Sequence, residues 1–337
     1  MAGTTRWLSE HDVVAALDLP AAIDAVRQGF AQEGAGRAHA MEKTMLGFDG
    51  HSTLHALGAA FPHGQLVGTK TWAHTPGGAD PALILFDSAT GTLRAVIEAF
   101  ALGQLRTAGT AALATDLLAR PDATRFAIIG TGKQAMAQAA AVAAVRPIEA
   151  IRAYSRDAVR CAAFSDRVAE ELGVPCQAAR SAAEAVAGAD IVTLVTRATS
   201  PVLTDALVTS GMHINAVGAI DLQRREFEPA ILRRCALVVT DSRPQVRNLS
   251  SEFREHYGPE EGSWPAVRTL GEVLNEAHPE RDPLAVTLFK GMGSGLADVA
   301  LGAAVMARAG SREPAVNIQR QGRGSIDLAG RTSVRHR

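Results

Sequence analysis

The run Gly130-Thr131-Gly132-Lys133-Gln134-Ala135 has the G-x-G-x-x-A spacing of a dinucleotide fingerprint. Its first glycine permits a tight turn, its second lets a pyrophosphate approach the backbone, and Ala135 lets helix and strand pack closely. The helix that follows offers its free N-terminal amides to the phosphates. About 20 residues past such glycines, an acidic side chain holds a ribose 2′-hydroxyl, whereas arginine accommodates a 2′-phosphate. Here the chain reads Tyr154-Ser155-Arg156-Asp157, with Arg160 one helical turn beyond Arg156. Ser155, Arg156 and Arg160 then form a phosphate clamp, so NADP(H) is the preferred cofactor and NAD(H) stays open. Asp157 has two readings, an acceptor for the ribose or the cap of the next helix.

Three cations outside this region carry the remaining chemistry. Lys70 sits inside the apolar run LVGTKTWAH. A lysine there either snorkels to solvent or faces a pocket, where burial lowers its pKa toward the range useful for proton transfer. Arg106, in QLRTAGTAA, interrupts an apolar helix; it either grips a carboxylate with its planar fork or ties two elements together. Lys43, in MEKTML, adds a third positive charge. Trp72 and His74 share Lys70's side of the strand and either line the same cavity or belong to a half-buried strand. The histidines show no HExxH, and the i,i+4 pair His51/His55 falls in a loop-and-strand region, so no metal is expected. No GxSxG elbow is present. Cys161, Cys176 and Cys235 lack CxxC spacing, and a reducing cytoplasm is the natural compartment.

The scaffold that must position these groups is bounded by composition. A chain of 337 residues has room for two domains, and 47% apolar against 20% charged residues supply a sizeable core. Thirty-four basic against 35 acidic residues give no electrostatic footprint for nucleic acid or an anionic membrane. No apolar run approaches the ~20 residues of a membrane span, and the first residues lack a signal pattern. Residues 9–30 predict one or two helices with Ser9 as N-cap and Asp12 in the first turn. Short strands follow at 66–72 and 82–86, separated by turn-rich HTPGGADP and DSATG segments, and residues 99–118 predict a long helix. From Arg125 the rhythm changes. Apolar strands at 126–129, 150–154, 191–195, 213–217 and 236–240, with helical patterns at 136–145 and 157–172, predict an open parallel sheet covered on both faces. The pattern is less regular after Asp241 until a helix at 295–309, and the Gly/Arg/Ser/Gln-rich tail 311–337 is expected to lack order.

In order along the chain, EKTM, VGTKTW, ALGQLRTAGTAA, FAIIGTGKQA, INAVGA followed by Glu226, and LFKGMGSGLADVALG resemble the ornithine cyclodeaminase/μ-crystallin family. The resemblance spans about residues 7–309. It implies an α/β fold: a Rossmann dinucleotide-binding domain at 119–289, and an α+β substrate and dimerisation domain at 1–118 completed by 290–310. It also implies a homodimer. The substrate carboxylate is then held by Lys43, Lys70 and Arg106. Lys43 stands where arginine is usual, so charge is kept and a bidentate fork is lost. Thr107, Thr196, Val217 and Met292 match positions that contact the cofactor in relatives, beside the fingerprint residues Gly130, Thr131, Gly132, Lys133 and Gln134.

Cyclodeaminases of the family carry a GGD or GAD motif whose aspartate handles ring closure and ammonia loss. Here the run reads Gly218-Ala219-Ile220-Asp221, with Ile220 at the aspartate position. In an extended segment Asp221 would point to the other face. The resemblance therefore implies the ketimine reductase or alanine dehydrogenase branch: an NAD(P)H-dependent reductase of a small imino acid or cyclic ketimine carboxylate, in reverse an amino-acid dehydrogenase. Lys70 is its catalytic residue. An ornithine- or lysine-type cyclodeaminase and a non-catalytic, NADP-dependent small-ligand binder stand as alternatives, and retention of both Lys70 and Arg106 favours an enzyme.

Overall fold

The computed structural model describes residues 5–258, 264, 266–276, 282–309, 316–318, 323–326 and 332–335. The described chain begins with a strand, Thr5–Leu8, and two helices, Glu10–Ala16 and Leu19–Gly34. Ser9 caps the first in a reciprocal box: its hydroxyl accepts from Asp12 N, and the Asp12 carboxylate accepts from Ser9 N at 2.8 Å. Asp18 caps the second, with Pro20 in the first turn, where the missing N–H costs nothing.

The first sheet runs Val316–Ile318, Thr5–Leu8, Leu93–Glu98, Ala82–Asp87, Leu66–His74, Ser52–Phe61 and His39–Ala40, with Thr44–Phe48 also paired to Ser52–Phe61. The pairs are antiparallel except Thr5–Leu8 with Leu93–Glu98. The helices Leu19–Gly34, Phe100–Leu118 and Gly295–Ala309 pack against one another, and the last also lies on this sheet. A Cβ at Gly295 would fall 2.1 Å from the Gly58 carbonyl oxygen, so the last helix seats directly on the strand backbone. Val26, Phe30, Leu83, Leu85, Ile97, Leu296 and Val299 close the core between them.

The second sheet is wholly parallel. Its order is Cys176–Ala178, Ala150–Tyr154, Arg125–Ile129, Ile191–Leu194, His213–Ala216, Val286–Lys290, Cys235–Thr240 and Val267–Thr269. The chain enters at Arg125–Ile129, builds outward on one side, then returns to Ile191–Leu194 on the other. That reversal is a topological switch point, and ligands of such sheets bind beyond the strand ends there.

Two features depart from the sequence reading. The stretch after Asp241 contains helices Arg243–Leu249, Ser251–Tyr257 and Leu270–Leu274, together with the strands Val267–Thr269 and Val286–Lys290. Val286–Lys290 is buried at all five positions, so it shows no alternation to read. The tail expected to lack order carries three short strands among its described residues. Val316–Ile318 pairs with Thr5–Trp7, and Arg323–Ile326 pairs with Thr332–Arg335.

The Phe100–Leu118 helix joins the two sheets. Arg146 closes its C-terminal end, donating to the carbonyls of Thr115, Asp116, Ala119 and Arg120. A buried polar layer fixes the helix to the parallel sheet: Asn215 donates to Thr115 Oγ1 at 2.9 Å, and Thr287 donates to the Leu118 carbonyl at 3.2 Å.

Candidate active site

Loops at the carboxyl ends of the parallel strands, together with the Phe100–Leu118 helix, enclose a cleft of about 520 Å³. Thr107, Gly132, Lys133, Gln134, Thr196, Val217 and Met292 all line it, together with Arg106. Gly130 has φ +107°, and a Cβ there would lie 2.6 Å from the Val195 carbonyl oxygen, so only glycine fits. Nothing lies within 4 Å of the Cβ position at Gly132. No side chain caps the Ala135–Val145 helix, and the buried Gln134 Oε1 has no partner among the described residues. An open glycine, an uncapped helix start and a switch-point cleft fit the pyrophosphate of a dinucleotide.

The ribose end differs from the expected clamp. Ser155 Oγ accepts from Thr131 Oγ1 at 3.1 Å and donates to the Asp157 carbonyl at 2.9 Å. Asp157 is the N-cap of the Ala158–Leu172 helix; its Oδ1 accepts from Arg160 N at 3.0 Å and its Oδ2 lies 3.3 Å from Arg160 Nε. Arg160 therefore folds back onto Asp157 instead of converging with Ser155, while Arg156 stands exposed. Of the two readings of Asp157, the capping one is what the structure contains.

Two buried carboxylates that sequence reasoning left out of the site hold the cleft loops. Glu226 accepts from Thr196 N (2.6 Å) and Oγ1 (2.9 Å) with one oxygen, and from Gly218 N (2.7 Å) and Ala219 N (2.9 Å) with the other. Lys290 donates to the Ala219 carbonyl at 2.7 Å, steadying the same loop from below. Asp241 accepts from Met292 N at 2.9 Å and Gly293 N at 2.7 Å. Burial pushes the Asp241 carboxyl upward, and these two amides oppose the shift. Gly293, at φ +92°, leaves room for Arg106: a Cβ there would lie 2.7 Å from Arg106 Nη1.

Lys70 does not snorkel. It is buried, and its Nζ donates to Asp298 Oδ1 at 2.5 Å; Arg106 Nε lies 3.6 Å from the same oxygen. Burial lowers the Lys70 pKa to about 8, helped by the charges of Arg106 and Lys43 and opposed by Asp298. The Lys70 and Lys43 ammonium groups lie 5.4 and 5.9 Å from the centre of the Trp72 ring, and His55 stacks on that ring at 4.7 Å. His74 is exposed. Burial and Lys43 push His55 down to about 4, so it is neutral at physiological pH. Burial and the Arg106 charge lower the Lys43 pKa, while Asp221 raises it. The chain has only four lysines, Lys43, Lys70, Lys133 and Lys290, and all four serve this region.

Ile220 lines the cleft, whereas Asp221 does not; it accepts from Gln223 N at 3.0 Å and pairs with Arg224 Nε at 3.2 Å, while its charge still reaches Lys43. Asp298 was also missed as a site residue. Its signal was an aspartate within the apolar helix sequence GLADVALG.

A profile of the ornithine cyclodeaminase/mu-crystallin family matches residues 4–313. The chain belongs to this family. It is 31% identical over 255 residues to the Delta(1)-pyrroline-2-carboxylate reductase of Bacillus cereus, covering 73% of this chain and 75% of that protein. It is 36% identical over 213 residues to the ornithine cyclodeaminase of Brucella abortus, covering 62% of this chain and 57% of that protein. The structure of Thermococcus litoralis Delta(1)-pyrroline-2-carboxylate reductase in complex with NADH and L-proline superposes with a TM-score of 0.85 at 25% identity, covering 93% of this chain and 99% of that one. The fold is therefore α/β, with a Rossmann-type dinucleotide-binding sheet.

Proposed function

We propose that the protein is an NAD(P)H-dependent reductase of a small imino acid or cyclic ketimine carboxylate, and in reverse an amino-acid dehydrogenase. The observation that carries this reading is Lys70, buried with a pKa of about 8 and sharing the Asp298 carboxylate with Arg106, which lines the dinucleotide cleft. Arg106 and Lys43 anchor the substrate carboxylate. A dinucleotide held in the cleft, with its pyrophosphate at the fingerprint loop, would supply hydride from its nicotinamide to the carbon of the C=N bond. Lys70 gives its proton to the nitrogen: an Nζ–H bond breaks, a substrate N–H bond forms, and neutral Lys70 is reprotonated from solvent. Of the residues lining the cleft, Gly132, Lys133 and Gln134 would hold the pyrophosphate, and Thr107, Thr196, Val217 and Met292 would contact the rest of the cofactor.

Ile220 supports reduction over cyclodeamination, because an aliphatic side chain transfers no proton and Asp221 is engaged elsewhere. The test is NADPH oxidation against a panel of cyclic imine carboxylates, set beside ammonia release from ornithine and lysine. Imine-dependent oxidation without ammonia release is expected. Ammonia release at a comparable rate would favour the cyclodeaminase, and tight NADPH binding with no turnover would favour a binding protein.

Preference for NADP(H) over NAD(H) is supported by the Arg156 side chain, free in solvent, and by an Asp157 carboxylate already committed to its helix. Fluorescence titration should show tighter NADPH than NADH binding, and Arg156→Ala should weaken NADPH roughly tenfold or more. Equal affinities would remove the preference. The substrate domain is assigned to 1–118 plus 290–310 and the dinucleotide domain to 119–289, although Val316–Ile318 also pairs into the first sheet and Lys290 ends a strand of the second. The three cysteines are free thiols, which supports a cytoplasmic setting. No helix among the described residues is long and apolar enough to cross a membrane.

A further inference from the structure

We propose that Asp298 is a positioning residue for this chemistry, a single buried carboxylate that aims the proton donor and the carboxylate anchor together. The proposal rests on the reading of Lys70 as proton donor. Asp298 lies in the first turn of the Gly295–Ala309 helix and is fully buried among apolar neighbours. How it spends its oxygens separates it from the other buried carboxylates. Glu226 uses both oxygens in four bonds that brace two loops, and Asp241 uses both on the amides of Met292 and Gly293. Asp298 uses only Oδ1, and it spends that on Lys70 at 2.5 Å and Arg106 at 3.6 Å; its Oδ2 has no hydrogen-bond partner among the described residues.

An unmet buried acceptor is costly, and Glu33 Oε2 bears the same cost at a helix contact, where the cation acting on it is Arg243. Asp298 instead has only functional cations for partners. They come from two elements: Lys70 from the strand Leu66–His74, and Arg106 from the helix Phe100–Leu118. Its tie to Arg106 is electrostatic: Nε stands at ion-pair distance, 3.6 Å, and makes no hydrogen bond among the described residues, and none is made by the Nη groups. They are left for a substrate carboxylate. Asp298, Arg106 and Lys43 are the charged groups that act on Lys70, and Asp298 is the one negative charge among them. Removing it leaves three cations together and favours neutral Lys70.

Because the chain holds only four lysines, ¹³Cε-lysine NMR can follow Lys70 directly, with Lys70→Met assigning its signal. In Asp298→Asn the Lys70 midpoint should fall by about one pH unit or more, and the alkaline limb of kcat/KM should move with it. KM for the carboxylate substrate should rise while NADPH affinity holds. An unchanged Lys70 midpoint in folded Asp298→Asn overturns the proposal. Should Asp298→Asn not fold, the double variant Lys70→Met/Asp298→Asn decides. If it folds, the Asn defect came from an uncompensated Lys70, as the proposal requires; if it also fails, Asp298 serves folding independently of Lys70 and the proposal falls. The NMR readout needs no turnover. A wild type inactive on every imine would therefore defeat the functional reading while this experiment still judges Asp298.

Discussion

Lys70 is a base whose pKa the fold lowers to about 8, and the sign of that shift fixes a pH signature. Imine reduction needs the charged form, so its kcat/KM should hold below pH 8 and fall as pH rises through it; amine oxidation needs the neutral form and its kcat/KM should rise over the same interval. Steady-state rates in both directions from pH 6 to 10 check this, and parallel profiles would contradict it. Lys70→Met keeps the apolar stem and should lower kcat by roughly 10²–10⁴-fold with NADPH affinity intact. Arg106→Ala should act mainly on KM, by roughly tenfold or more, because a charge-assisted anchor is lost. If Lys70 and Arg106 were only structural ties, both variants would shift the melting temperature and leave turnover near wild type.

At the scale of elements, the contact between the helices Leu19–Gly34 and Leu270–Leu274 carries its own titration. Glu33 sits there with its Oε2 buried and unpartnered among the described residues, 2.4 Å from where a Gly271 Cβ would lie. Burial, then the charge of Glu272, raises its pKa to about 7; Arg243 opposes and Asp241 adds to the rise. An acid with a raised folded pKa gives stability that is complete below its unfolded value of 4.5 and lost as pH climbs through 7. Glu33→Gln should therefore raise the melting temperature at pH 8 by roughly 2–5 °C and change it little at pH 4.5. Equal differences at both pH values would contradict this. The legible parts of the fold were local ones. The Ser9 box, the glycine fingerprint and five of the parallel strands up to Thr240 each declare themselves within a few residues, whereas the three-residue strand Cys176–Ala178 does not. Val286–Lys290 was not legible, because full burial erases alternation and a five-residue strand is short. The site was legible as far as its cations, which stand out in apolar runs. Asp298 was not, since 228 residues separate it from Lys70 and only the packing of the last helix brings them together. Of the Ser155, Arg156 and Arg160 clamp, the sequence pattern does not show that Arg160 pairs with its neighbour Asp157 while Arg156 stays exposed.

At the scale of the molecule, the outer strand Thr44–Phe48 leaves Met45 62% and Leu46 63% exposed, and Leu46 pairs across the sheet with Leu54, itself 45% exposed. An apolar edge of this kind is managed in soluble proteins by covering it, and a second copy of the chain is the occupant the family resemblance implies. Sedimentation should give a dimer for the wild type and a shift toward monomer for Leu46→Glu; a monomeric wild type would contradict this. Whatever its assembly, the central claim is that hydride reaches the carbon of a C=N bond in the cleft beside Lys70 and Arg106. The most direct measurement is mass spectrometry of the amino acid formed from Δ1-pyrroline-2-carboxylate or a six-membered homologue, with NADPH deuterated at both C4 positions. The account predicts one deuterium at Cα for each NADPH consumed. Product without deuterium at Cα, or ammonia from ornithine in place of a reduced imine, would contradict it.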